Sequence, residues 1–195
     1  MKLVFATNNL NKLIEVKKVM PSFIELLSLK DINCFDKIKE TAANLEGNAQ
    51  IKADYISKKY GFDCFADDTG LEVKALNGAP GVHSARYASL TASTASNIQK
   101  LLKELEKHTD REAQFRSSIC LKIGEKTYFF NGICKGLILN QIQGKKGFGY
   151  DSIFMPKGCD KSFAEMTLEE KNKISHRGLA LKKLINFLKI GLIKN

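Results

Sequence analysis

A chain of 195 residues with 44% hydrophobic and 27% charged side chains has the composition of an ordinary globular protein, which excludes a disordered or fibrous polymer and leaves room for a real core in one domain. Lysine and arginine outnumber aspartate and glutamate by 31 to 21, for a net charge of +10. That balance favours anionic partners such as phosphates, nucleic acids or membrane surfaces without choosing among them, and it can equally be a compositional habit of a genome.

Along the chain, Lys2 to Ala6 reads as a buried strand, and Leu13, Val16 and Met20 recur at helical spacing until Pro21. The short apolar run before Thr7 is too little for a secretory signal, and no stretch approaches membrane-spanning length, so a cytoplasmic protein is expected. Phe23 to Leu29 is expected to be a second strand. Ala49, Ala53, Ile56 and Tyr60 form the stripe of a helix closed by Gly61, with a short strand over Cys64 to Ala66 after it. Gly78, Pro80 and Gly81 describe a structured loop between Leu76 and Tyr87, and Ile98, Leu101, Leu102 and Leu105 mark another amphipathic helix.

From Phe115 the pattern alternates, which predicts a strand to Ile123 that turns at Gly124 and Glu125 into a second over Thr127 to Ile133. Gln143 to Gly149 is a basic, glycine-bearing loop, and Ser152 to Met155 is expected to be a strand stopped by Pro156. Thr167 with Glu170 makes the capping box of a short helix, and Ser175 is expected to cap a last, basic helix carrying Leu181, Leu184, Ile185 and Leu188. That helix is read as packed on a sheet with solvated lysines rather than lying on a membrane. The five cysteines are odd in number and contain no C-x-x-C pair, so reduced thiols serving as small apolar residues are expected.

Four segments could carry chemistry. Thr7, Asn8, Asn9, Leu10, Asn11 and Lys12 sit where a strand hands over to a helix, where backbone N–H groups and the helix dipole favour phosphate; the segment is not a Walker loop. Asp67, Asp68 and Thr69 follow a buried strand, and Glu40 could join them. One or two carboxylates completed by water and phosphates are what Mg²⁺ takes, although Asp-Asp-Thr-Gly is also the composition of a capped turn. Phe148, Gly149, Tyr150 and Asp151 combine glycines with aromatic faces suited to stacking on a base, while core packing is the ordinary fate of either ring. Lys171 and the pair His176 and Arg177 bring positive charge and donors to a helix start, where a purine carbonyl edge could be read.

In this order, and over about Lys2 to Leu188, the segments resemble the inosine and xanthosine triphosphate pyrophosphatase family. Gly78 to Gly81 and Ser84 to Tyr87 add to the likeness. The resemblance implies an α/β fold, a long twisted mixed β-sheet flanked by helices, forming one domain over 1–195 with two lobes, a nucleotide cleft between them, and a homodimer. It further implies that Thr7 to Lys12 bind the triphosphate, that Lys52 faces the phosphates, and that Glu40 and Asp68 hold Mg²⁺. By the same likeness Asp68 is the general base, Thr69 contacts substrate, and Phe148, Gly149, Tyr150, Asp151, Lys171, His176 and Arg177 form the nucleoside-binding set, with Asp67 a supporting acid. The chain departs from the commonest pattern at Asn8, where glycine is frequent, at Thr69, where serine is, and at Ser152, where proline is.

The activity implied is magnesium-dependent hydrolysis of ITP, dITP and XTP to the monophosphate and pyrophosphate, which cleanses the nucleotide pool. Donors from His176 and Arg177 would suit a 6-oxo purine and reject adenine. Two alternatives stand beside this: a related pyrophosphatase for pyrimidine or modified nucleotides, and a basic nucleic-acid-binding module. The second lacks a recognised motif, so neither a stable nucleic-acid partner nor a membrane is expected.

Overall fold

The computed structural model describes residues 1–193. Strand β1 (Lys2–Phe5) leads into helix α1 (Leu10–Val19), and strand β2 (Glu25–Ser28) follows. Helix α2 (Leu45–Tyr60) starts where the Asn44 side chain accepts from the Gly47 amide and stops at Gly61, whose φ of 70° is left-handed and suits glycine. Then come β3 (Cys64–Val73), β4 (Pro80–Gly81), α3 (Thr94–Glu104), β5 (Glu112–Ile123), β6 (Lys126–Ile138), β7 (Phe154–Pro156), α4 (Leu168–Ile174) and α5 (His176–Ile193).

The strands form one mixed sheet in the order β2-β1-β3-β5-β6-β7, with β4 paired to β3. Strand β1 runs parallel to β2 and β3, whereas β4 is antiparallel to β3 and β7 to β6. Parallel neighbours need crossovers, and α1 and α2 supply them. The α/β class with a mixed sheet and helices is therefore as the sequence led us to expect. Among the described residues no helix is long and apolar enough to cross a membrane.

The chain divides into two compact units. The first comprises Met1–Asp68, Ser117–Gly132 and the chain from Arg177; the second comprises Thr69–Arg116 and Ile133–His176. In the first unit β1 is buried on both faces. Leu3 and Phe5 pack with Val16, Phe65, Ile119, Leu181 and Leu184, while Val4 and Ala6 pack with Ala49, Ala53, Ile56, Cys64 and Cys120. Successive strand residues point to opposite sides, so an uninterrupted apolar run is what a doubly covered strand requires. The core of the second unit gathers Leu71, Leu101, Leu105, Phe115, Phe154 and Phe163. All five cysteines are free thiols, and four of them are buried.

Several boundaries differ from the sequence reading, among them β2, which is shorter than Phe23 to Leu29, and β5, which starts at Glu112 rather than Phe115. Strand β3 does not stop at Ala66 but continues through Asp67, Asp68, Thr69 and Gly70 to Val73. Polar residues hid that strand, and their buried charges are matched by partners described below. Strand β6 runs to Ile138 rather than Ile133. Gly136 there touches β7 so closely that a Cβ would meet the Met155 carbonyl oxygen at 2.3 Å, so the packing requires glycine. Asp151–Ile153 form a 3-10 turn, and the strand expected from Ser152 is only Phe154–Pro156. The capping box of α4 is present in full, the Thr167 hydroxyl accepting from Glu170 N and the Glu170 carboxylate from Thr167 N. Ser175 closes α4 immediately before α5 begins.

Candidate active site

In the first unit the chain leaves β1 and caps α1 with its own side chains. Asn9 Oδ1 accepts from the amides of Asn11 at 3.0 Å and Lys12 at 3.2 Å, and Thr7 Oγ1 accepts from Asn9 N at 3.2 Å. The expectation of free helix-terminal amides is therefore corrected: Asn9 already occupies two of them. Asn8, Leu10 and Asn11 are exposed and Thr7 is half-buried. Lys12 turns inward, and its Nζ donates to Asp67 Oδ1 at 3.0 Å. Burial lowers the Lys12 pKa, with the charges of Lys52 and Arg177 adding to the effect against the pull of Asp67 and Asp68.

Asp67, 1% exposed, is gripped from both sides, since Arg177 Nε donates to its Oδ2 at 2.9 Å. The other arm of Arg177 pairs Nη1 with Glu15 Oε2. Burial alone would raise the Asp67 carboxyl, but Lys12, Arg177 and Lys52 outweigh it and hold the pKa well below the usual range. For Arg177 burial acts downward, and the charges of Asp67 and Glu15 reverse it. At 1% exposure Arg177 is among the largest fully buried side chains of the described residues. The sequence reading offered Arg177 as a donor to a purine; the structure commits its Nε and Nη1 to two carboxylates of the first unit. Glu15 escaped the sequence reading, although it lies one turn beyond Lys12 on α1, a spacing that puts both on one face.

The neighbouring Asp68 is held differently. Lys52 Nζ lies 2.5 Å from Glu40 Oε1 and 3.9 Å from Asp68 Oδ1, and Asn48 Nδ2 donates to Asp68 Oδ2 at 3.1 Å. Burial, with the charge of Glu40, raises the Asp68 pKa against Lys52, Lys12 and Asn48. The structure thus brings together Glu40 and Asp68, which the sequence reading paired, and places between them Lys52, which it had set facing the phosphates. Two carboxylate oxygens share one ammonium, so the place already balances a positive charge. Among the described residues no group of three or more His, Cys, Asp or Glu side chains is set to hold a metal ion. The two carboxylates of Glu40 and Asp68 are oxygen donors of the kind a hard cation takes when water and phosphate oxygens complete its shell.

In the second unit a separate cluster surrounds Asp151. Its Oδ2 accepts from Phe148 N at 2.8 Å and from Lys171 Nζ at 2.6 Å. Gly147 has φ 75°, and a Cβ there would meet Asp151 Oδ2 at 2.2 Å, so the turn demands glycine on two counts. Gly147→Ala should cost about 1–3 kcal/mol, read as a lowered melting temperature; an unchanged melt would show that the turn has an easy alternative. The Lys171 ammonium also sits 4.9 Å from the centre of the half-buried Phe148 ring. Tyr150 belongs to the apolar core, its hydroxyl donating to Ser84 O at 2.9 Å, so of the two aromatics proposed for stacking it is the one that packs. Gly149 adopts φ 61°, and Thr69 is half-buried on β3. His176 is 3% exposed and stacks on Phe115 with centroids 4.6 Å apart.

The chain is similar to known proteins over nearly its whole length. The Ham1 family model matches residues 3–187. A dITP/XTP pyrophosphatase of Flavobacterium johnsoniae is 56% identical over 188 residues, covering 96% of this chain and 98% of that protein. One of Christiangramia forsetii is also 56% identical, covering 96% and 99%. Among solved structures, a HAM1 protein from Coxiella burnetii superposes with a TM-score of 0.89 at 37% identity, covering 97% of this chain and 98% of that one. The Staphylococcus aureus Ham1 protein gives 0.88 at 38%, with the same coverage. The chain belongs to the Ham1 family.

Proposed function

We propose that this protein hydrolyses non-standard purine nucleoside triphosphates, ITP, dITP and XTP, to the nucleoside monophosphate and pyrophosphate, with Mg²⁺ as cofactor. The observation that carries the reading is the Asp68 carboxylate, buried and fixed on Oδ2 by Asn48, sharing the Lys52 ammonium with Glu40. Membership of the Ham1 family, and relatives named dITP/XTP pyrophosphatases, support it.

In this reading Lys12 and Lys52 bind phosphate oxygens and spread the charge that develops on the leaving pyrophosphate. Asp68 accepts a proton from a water as its oxygen attacks the α-phosphorus; the α–β bridging oxygen leaves with pyrophosphate. Mg²⁺ held by Glu40 and Asp68 would neutralise charge on the same phosphate oxygens. Asp67, saturated by Lys12 and Arg177, orients the lysine rather than reacting. Asp151, Lys171, Phe148, Gly149 and His176 serve the nucleoside. A homodimer is part of the proposal, and sedimentation equilibrium measures it directly.

The test is a panel of ITP, dITP, XTP, GTP, ATP and dTTP with Mg²⁺, scoring pyrophosphate and orthophosphate separately. Pyrophosphate mainly from the first three supports the reading. Turnover mainly of dTTP would transfer the chemistry to pyrimidines, and orthophosphate as first product would overturn it.

A further inference from the structure

We propose that Asn48 is a positioning residue whose single side-chain amide fixes the spacing between the Asp68 carboxylate and the chain segment carrying Glu40. The inference deepens the functional reading above and rests on it. Asn48 is fully buried on α2. Its Oδ1 accepts from Ala42 N at 2.9 Å, and its Nδ2 donates to Asp68 Oδ2 at 3.1 Å. One amide offers a donor at one end and an acceptor at the other, and both ends are used.

The segment 35–43 contains neither helix nor strand, so side chains must hold it. It presses on the first turn of α2 so closely that a Cβ on Gly47 would meet Ala42 Cβ at 2.6 Å. One helical turn after Asn48, Lys52 makes the same two connections with charge, to Glu40 Oε1 and Asp68 Oδ1. The two links differ in chemistry. An ammonium exchanges carboxylates for phosphate oxygens when substrate arrives, whereas the amide, facing a backbone N–H and a carboxylate, has no such alternative. Asn48 is the link that persists when Lys52 changes partners.

Two substitutions separate the halves of this role. Asn48→Asp keeps the acceptor for Ala42 N but turns a carboxylate toward Asp68, while Gly47→Ala leaves the amide intact and drives Ala42 away. Hydrogen–deuterium exchange of the full-length protein, beside pyrophosphate release from dITP over a series of Mg²⁺ concentrations, reads both. For Asn48→Ala we expect several-fold faster exchange confined to 35–43, kcat lower by about 100-fold and a raised half-saturating Mg²⁺. Asn48→Asp should lower kcat comparably with exchange near wild type. Gly47→Ala should speed exchange of 35–43 and raise the Mg²⁺ requirement, with a smaller fall in kcat.

The proposal is overturned if both Asn48 variants keep kcat within threefold of wild type, or if Asn48→Asp loses protection throughout α2 and β3, as a residue of mere packing would. Wild-type protein that releases no pyrophosphate from any purine triphosphate would instead remove the functional reading; the exchange pattern would then still report whether the amide link exists.

Discussion

Asp68→Asn should lower pyrophosphate release by about 10²–10⁴-fold, the range a positioned general base contributes, while folding at least as stably as wild type. The two halves of that expectation have one origin. Asp68 is 8% exposed, and burial beside Glu40 penalises its charge, so the ionised carboxylate is a cost the fold carries. Asparagine has the same shape, needs no counter-charge, and can turn its amide oxygen toward Asn48 Nδ2. Activity assays with circular dichroism and a urea titration measure both quantities. Turnover near wild type would remove Asp68 from the chemistry. Lost activity together with lost stability would assign it to the architecture instead.

Arg177→Ala should behave in the opposite way, with stability falling by about 3–5 kcal/mol because the buried carboxylates of Glu15 and Asp67 both lose the guanidinium, Asp67 keeping Lys12. Urea unfolding reads this directly, and the double variant that also replaces Glu15 with Gln should recover part of the loss. From sequence alone, the same substitution promises a narrower ratio of ITP to ATP hydrolysis. The measurements separate the two accounts: a stable variant with an altered ratio would return Arg177 to base reading, whereas an unstable one with its ratio preserved places it in the scaffold.

What the sequence made legible depended on how each feature is encoded. The buried strand and the helix at the amino terminus, the Gly61 stop and the Thr167 capping box all followed from local rules, because periodicity and capping act within a few residues. The pairing of Glu40 with Asp68 came through motif likeness, and the two meet at the Lys52 ammonium, which the likeness had set only facing the phosphates. Strand β3 was cut short because Asp67 and Asp68 look like loop residues until Lys12 and Arg177 are brought beside the first and Asn48 and Lys52 beside the second. Asn48 was passed over for a related reason. A buried asparagine is recognised by its partners, Ala42 and Asp68, and neither partnership is visible in a one-dimensional pattern. For Tyr150, motif position suggested a stacking surface, while volume and a hydrogen bond to Ser84 decided for the core.

The self-capped start of α1 also bears on which anions the protein notices. Because Asn9 Oδ1 already satisfies the amides of Asn11 and Lys12, a lone anion reaching for those groups must displace a ligand the chain supplies itself and gains little by the swap. A polyanion anchored elsewhere by lysines can meet that cost from its other contacts. If the proposed function holds, such a turn is expected to favour long phosphate chains over free orthophosphate, a preference that competition of each against dITP turnover measures.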